Sequence, residues 1–271
     1  MRAASAPVDP ASYAAVLFDL DGTLYLSGEP LPGAPGFVTA CRAAGARVGF
    51  LTNTSAVGPA ACAARLATAG IEAGVDEIVT APQAMALAMT ADGVDRVACV
   101  GGPGMRDAIA GAGIEVADVT EVPDGWAGPG AAVAVGMDPA VTMLTLHRAA
   151  DLVAAGAVLY TNTVEAHSPS SRGCLPASGP IVAAILHMVP GADAVVCGKP
   201  SRRYADLALA WTGATDGRPV LMVGDNRDTD VALAHLLGWE SLLVLTGASG
   251  KATPGPEPTY LHPDLRSALR T

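Results

Sequence analysis

Along most of the chain, short apolar runs alternate with alanine-rich stretches of helical character. Ala14 to Phe18 reads as a buried strand, since five apolar residues follow one another and stop at Asp19. Phe37 to Ala44 reads as a helix ended by Gly45, Val48 to Leu51 as a second strand, and Pro59 to Ala69 as a second helix ended by Gly70. Towards the C-terminus, Ala194 to Val196, Val220 to Val223 and Leu242 to Leu245 read as strands. Tyr204 to Trp211 and Val231 to Leu237 read as the helices between them. This rhythm predicts an α/β fold with a mainly parallel sheet and right-handed crossovers.

The middle of the chain has an α/β rhythm of its own. Arg96 to Val100, Ala131 to Val135 and Val158 to Tyr160 read as strands, Met105 to Ala112 and Val141 to Ala155 as helices. Val122 to Gly130, VPDGWAGPG, reads as a loop. No internal repeat interrupts the pattern.

Composition narrows the picture. At 271 residues the chain exceeds one small core and fits either one large α/β domain or a core with a smaller insert. With 51% hydrophobic and 15% charged residues it can bury a core, and with only 4% aromatics Ala, Val and Leu must do most of the packing. A net charge of −10 and the lack of a basic run argue against nucleic acid as a partner. The same average field repels anionic substrates, so binding one requires a local cation.

Five cysteines, Cys41, Cys62, Cys99, Cys174 and Cys197, are scattered with no CxxC pair. They read as small buried apolar residues, and a reducing cytoplasm fits them better than a disulfide framework or zinc site. The N-terminal MRAASAPVDPASY lacks an apolar signal core, and no later run is long enough to span a bilayer, so no membrane partner is expected.

In open parallel sheets chemistry gathers beyond the carboxyl ends of the strands. Four polar segments follow apolar runs in that way. In VLFDLDGTLY, Asp19 and Asp21 follow the first strand. Two carboxylates so close suit a hard divalent cation, with one Asp free to attack and the other to handle a proton; the alternative is a solvated Asp-Gly turn. In FLTNTS, Thr52, Asn53 and Thr54 offer hydroxyl, amide and backbone N–H groups to an anion, or else form a helix cap. In CGKPS, Lys199 could neutralise phosphate charge or lie on the surface. In LMVGDNRDTDVALA, Asp225, Asp228 and Asp230 crowd a helix start, where capping explains one or two of them and a cation the set.

Together the four segments resemble the signature motifs of the haloacid dehalogenase (HAD) superfamily, with DLDGT, LTNTS, the lysine of GKPS and GDNRDTD in order. The forms TNTS, GKP and GDNxxTD resemble the NagD-like and p-nitrophenylphosphatase-like branch, and the likeness runs from about Ala14 to Leu261. It implies a HAD-type Rossmann-like parallel-sheet core with an inserted α/β cap domain. Residues 1–79 and 179–271 would form the core and 80–178 the cap. It implies a Mg²⁺-dependent phosphatase for a small phosphorylated metabolite, with Asp19 as nucleophile and Asp21 as acid and base. Thr52, Asn53, Thr54 and Lys199 would hold the phosphoryl group. Asp19, the Asp21 carbonyl and Asp225 would hold the metal, and Asp230 would support it from behind, with Asp228 a weaker candidate. Relatives in this branch often pair as homodimers through the cap.

One departure stands out: Thr54 replaces the second Asn of the branch's usual TNNS, which bears on the role of that side chain and not on the reaction type. In the cap, Asn162, Glu165 and His167 follow a strand where relatives place a substrate-contacting histidine; a solvated loop histidine is the alternative. The glycines of Val100 to Met105 lack nucleotide-loop spacing, and Met85 and Met89 read as helix packing. Two other functions use similar residues. A phosphotransferase would share the intermediate, but only about thirty residues separate the first two motifs, too few for the mutase-type insert. A non-catalytic phospho-acceptor or metabolite-binding module would have no use for Asp21 beside the nucleophile.

Overall fold

The computed structural model describes residues 6–168, 175–213, 215–250 and 252–269. In chain order its strands are β1 (Ala15–Phe18), β2 (Tyr25–Leu26), β3 (Glu29–Pro30), β4 (Arg47–Thr52), β5 (Ile78–Thr80), β6 (Arg96–Val100), β7 (Glu115–Asp118), β8 (Ala131–Val135), β9 (Val158–Thr161), β10 (His167–Ser168), β11 (Leu175–Pro176), β12 (Ala194–Val196), β13 (Val220–Gly224), β14 (Glu240–Val244) and β15 (Tyr260–His262). The helices are α1 (Ala34–Ala43), α2 (Pro59–Thr68), α3 (Ala81–Ala91), α4 (Pro103–Gly111), α5 (Met143–Ala154), α6 (Gly179–Met188), α7 (Arg202–Thr212), α8 (Ala232–Leu237) and α9 (Leu265–Ala268).

Six strands form one parallel sheet in the order β15-β14-β13-β1-β4-β5. Both faces are covered, which is why β1 is apolar at every position. Val16 and Phe18 enter one layer with α1, α2 and α9, and Ala15 and Leu17 the other with α7 and α8. Phe18 meets Phe37 edge-on at 6.0 Å and Phe50 at 6.2 Å, so the chain's three phenylalanines share one cluster.

Five strands form a second parallel sheet, β12-β9-β8-β6-β7. The α5 and α6 helices cover one face and α3 and α4 the other. Residues 179–196, expected with the returning core, pair and pack here instead. Ile181, Val182 and Ile185 of α6 join the core under α5, and β12 extends the sheet beside β9. The short run Ala194–Val196 has no face pattern to show which sheet it joins, and the crossover through α6 decides it. Helix α3 escapes a periodicity reading for a related reason. It is buried almost all round, with Ala84 in the first sheet's core and Met85 and Met89 in the second's.

Cys41, Cys62, Cys99 and Cys197 are buried and free, as read, and Cys174 lies outside the described residues. No helix among the described residues is long and apolar enough to cross a membrane.

The phenylalanine cluster supplies a stability test. Phe37→Ala should lower the unfolding free energy by about 3–5 kcal/mol in urea titration, through lost transfer energy and the cavity left behind. A loss under about 1 kcal/mol would mean that the helix layer can collapse onto Phe18 without it.

Candidate active site

Three of the four strands that carry the polar segments lie side by side at the centre of the first sheet, β1 between β13 and β4. Their parallel alignment puts Asp19, Thr52 and Asp225 at one edge. Asp19 continues the ladder, its N–H donating to the Val223 carbonyl at 2.8 Å. Lys199 reaches the same point from the loop after β12, beside a cis Lys199–Pro200 bond. Its ammonium donates to Asp19 Oδ1 at 2.6 Å, Asp230 Oδ1 at 2.7 Å and the Leu51 carbonyl at 3.0 Å. With 2% of its surface exposed, Lys199 is an internal cation and not the surface lysine that its segment alone allowed.

Asp19, Asp21, Thr52 to Thr54, Lys199, Asp225 and Asp230 all line one pocket. Asp228 does not join them. It is exposed at the head of a π-turn, Arg227–Val231, where its N–H is capped by Asn226 Oδ1. His167 is also outside. It sits exposed on β10, paired antiparallel with β11, while Glu165 and Ser168 on either side form the pocket wall. A two-residue strand exposes both of its side chains, so the position after β9 could not by itself aim the imidazole inward.

Asn53 serves a purpose its segment did not reveal. Its Oδ1 accepts the Lys199 N–H at 2.7 Å, and its Nδ2 donates to the Lys199 carbonyl at 3.2 Å. The amide therefore pins the lysine loop to the end of β4. Other contributors went unread. Thr23 Oγ1 lies 3.3 Å from both Asp19 and Asp225, Ala248 N–H donates to Asp225 Oδ2 at 2.5 Å, and Thr246 Oγ1 donates to the Gly22 carbonyl at 2.6 Å. The segment TGAS follows β14 after Leu245, so the strand-end rule that found the other loops reaches it too.

Charge makes the site expensive when empty of cations. Carboxylate oxygens of Asp19, Asp225 and Asp230 lie within 4.8 Å of one another, all buried. Lys199 offsets only one of the three. Burial works against its ammonium, but the charges of Asp19 and Asp230 outweigh that and hold its pKa above the ordinary lysine value. Burial first, then Asp19 and Asp230, push Asp225 well up. Burial likewise lifts Asp230 to about 7 against the pull of Lys199. Asp21 rises to about 6 through burial and the charge of Asp19. The excess of two negative charges on hard oxygen donors fits one divalent cation. Asp230 has both oxygens engaged, by Lys199 and by the Asn226 N–H at 3.1 Å. Glycine at 22 and 247 is required here. A Cβ on Gly22 would lie 2.6 Å from Asp225 Oδ2, and one on Gly247 2.0 Å from it.

Comparison with known proteins agrees with this geometry. A haloacid dehalogenase-like hydrolase model matches residues 16–115, and a second HAD hydrolase-like model matches residues 196–268. The chain belongs to the haloacid dehalogenase-like hydrolase family. Among its relatives, D-glycerol 3-phosphate phosphatase of Mycobacterium tuberculosis is 34% identical over 93% of this chain and 70% of its own length. An acid sugar phosphatase of Staphylococcus saprophyticus is 31% identical over 96% of this chain and 98% of its own. Among solved structures, the M. tuberculosis glycerol phosphate phosphatase in complex with magnesium superposes with a TM-score of 0.82 at 31% identity, covering 98% of this chain and 79% of that one. The 4-nitrophenylphosphatase of Thermotoga maritima superposes with a TM-score of 0.82 at 28% identity, covering 96% of this chain and 97% of that one. The parallel-sheet fold of this HAD hydrolase is that of the family.

The raised carboxylates set a pH dependence. Asp21, Asp225 and Asp230 have folded pKa values above the ordinary 3.8. Their contribution to stability is present below that value and lost as pH rises through the folded values, about 6 for Asp21 and about 7 for Asp230. A bound cation favours the ionised carboxylates and offsets the loss. Added Mg²⁺ should therefore raise Tm more at about pH 8 than at about pH 5.5, by several degrees in scanning fluorimetry. An equal rise at both values would show that cation binding is not coupled to the ionisation of these carboxylates.

Proposed function

We propose that this HAD hydrolase is a Mg²⁺-dependent phosphomonoesterase that transfers the phosphoryl group of a small metabolite to Asp19. The observation that carries the reading is the Asp19 carboxylate itself. One oxygen is fixed on Lys199, the other faces Asp225, and Asp21 stands two residues away with a pKa near 6. A non-catalytic phospho-acceptor module has no use for such a second acid.

The reaction runs in two steps. Asp19 attacks phosphorus and the ester P–O bond breaks, while protonated Asp21 gives its proton to the leaving alcohol oxygen. Asp21, now a carboxylate, takes a proton from water. That water attacks phosphorus and breaks the Asp19 O–P bond, releasing phosphate and regenerating the carboxylate. A pKa near neutrality suits a group that must donate and then accept. The Thr52 hydroxyl, the loop through Thr54 and the Lys199 ammonium orient the phosphoryl oxygens and offset their charge. Asp19, Asp225 and the Asp21 carbonyl, with Asp230 behind, would hold the metal, which would supply the charge neutralisation that lets a carboxylate meet an anionic phosphate.

The second sheet acts as a cap. Asn162, Thr163, Glu165 and Ser168 bring its residues into the pocket wall. The substrates named for the relatives, glycerol 3-phosphate and sugar phosphates, support a small phosphorylated polyol or sugar as substrate. Two exposed apolar side chains at the start of α5, Met143 and Leu144, support pairing of two copies through this unit.

The test is direct. p-Nitrophenyl phosphate should be hydrolysed with Mg²⁺ and not in EDTA. Asp19→Asn should keep its circular dichroism spectrum and fall below about one per cent of wild-type kcat. Residual activity well above that level excludes Asp19 as the nucleophile.

A further inference from the structure

Glu165 reaches from the second sheet's loop across the pocket to two loops of the first. Its Oε1 accepts the Asn226 amide at 2.7 Å, and its Oε2 accepts the Asn53 amide at 3.2 Å and the Thr163 hydroxyl at 3.0 Å. The remaining atoms of both amides are also engaged. Asn53 holds the Lys199 N–H and carbonyl, and Asn226 Oδ1 caps the Asp228 N–H while its own N–H donates to Asp230. One carboxylate thus joins the loop that fixes Lys199 to the loop that carries Asp225 and Asp230.

We propose that Glu165 is a positioning residue that locks the lysine loop and the metal loop in register through Asn53 and Asn226. The chemistry requires a carboxylate. Each amide offers an N–H, and only a side chain that accepts at both oxygens can serve the two together. A glutamine keeps the size but turns one NH₂ towards an asparagine NH₂, leaving two donors face to face. Because Glu165 touches these amides and not the reacting atoms, its loss should appear in kcat and leave substrate affinity nearly intact. The inference rests on the phosphatase reading above.

A polarity swap tests it. With p-nitrophenyl phosphate and saturating Mg²⁺, Glu165→Gln should lower kcat about tenfold, the loss expected for one hydrogen bond replaced by a donor–donor clash. KM should stay within about twofold and Tm within a few degrees. Asn226→Asp, which sets two carboxylates face to face, should lower kcat by a similar factor. The double variant restores a donor opposite an acceptor with net charge unchanged, and should recover kcat to within about threefold of wild type. Multiplied losses in the double variant, or wild-type kcat in Glu165→Gln, overturn the proposal while leaving the phosphatase reading intact. A wild-type chain inactive on p-nitrophenyl phosphate overturns both.

Discussion

One buried ammonium group sets the geometry of this site. Lys199 donates to a strand-end carboxylate, a backbone carbonyl and a carboxylate of the π-turn, so three segments far apart in sequence meet at one nitrogen. Taking a lysine out of water costs several kcal/mol, and removing either carboxylate would leave a buried charge under-compensated. The arrangement is stable as a set. It still leaves the acidic cluster with more negative charge than one lysine can balance, and that imbalance turns a structural ion pair into a cation site.

The parallel sheet makes the meeting possible. A central β1 with β13 and β4 on its flanks brings three chain ends to a single edge, each followed by a polar loop. Phe18 is buried in the layer below Asp19, so that carboxylate follows directly on a fully buried aromatic cluster. The site also needs space. Gly22 and Gly247 leave room for the Asp225 carboxylate, and the Ala248 N–H holds it where Asp19 and Asp225 share Thr23.

Much of this was legible because apolar runs ending in carboxylates are costly and have few explanations. Asp19, Asp21 and Asp225 stand out by their place after strands, while Lys199 and Asp230 are singled out by the resemblance to the family's motifs. The rest depended on contacts that sequence does not encode locally. Asn53 reads as a phosphate ligand until its amide is seen clasping the Lys199 backbone 146 residues away. His167 and Glu165 are near neighbours on one loop, and nothing in the local pattern tells which one turns inward. The strand Ala194–Val196 joined the unexpected sheet because the preceding helix, not its own residues, chooses its partner.

The seam between the two units also bears on how a substrate is held. Behind the Glu165 contacts, the Ser55 hydroxyl accepts the Met137 N–H at 3.0 Å, and Asn162 Nδ2 donates to the Asn53 carbonyl at 2.6 Å. Gly104 lies so close to Val57 that a Cβ there would be 2.2 Å from its carbonyl carbon. The loop from Asn53 to Val57 is therefore gripped by the second unit along its whole length. Swinging that unit clear as a rigid body would strip hydrogen bonds from the loop that borders Asp19 and Lys199 in the pocket. A roof attached in this way contributes to the frame of the site as well as covering it. Substrate selection then falls to the shape of a largely fixed mouth, where Met137 and Leu175 supply apolar walls beside the interlocked Asn162 and Ser178.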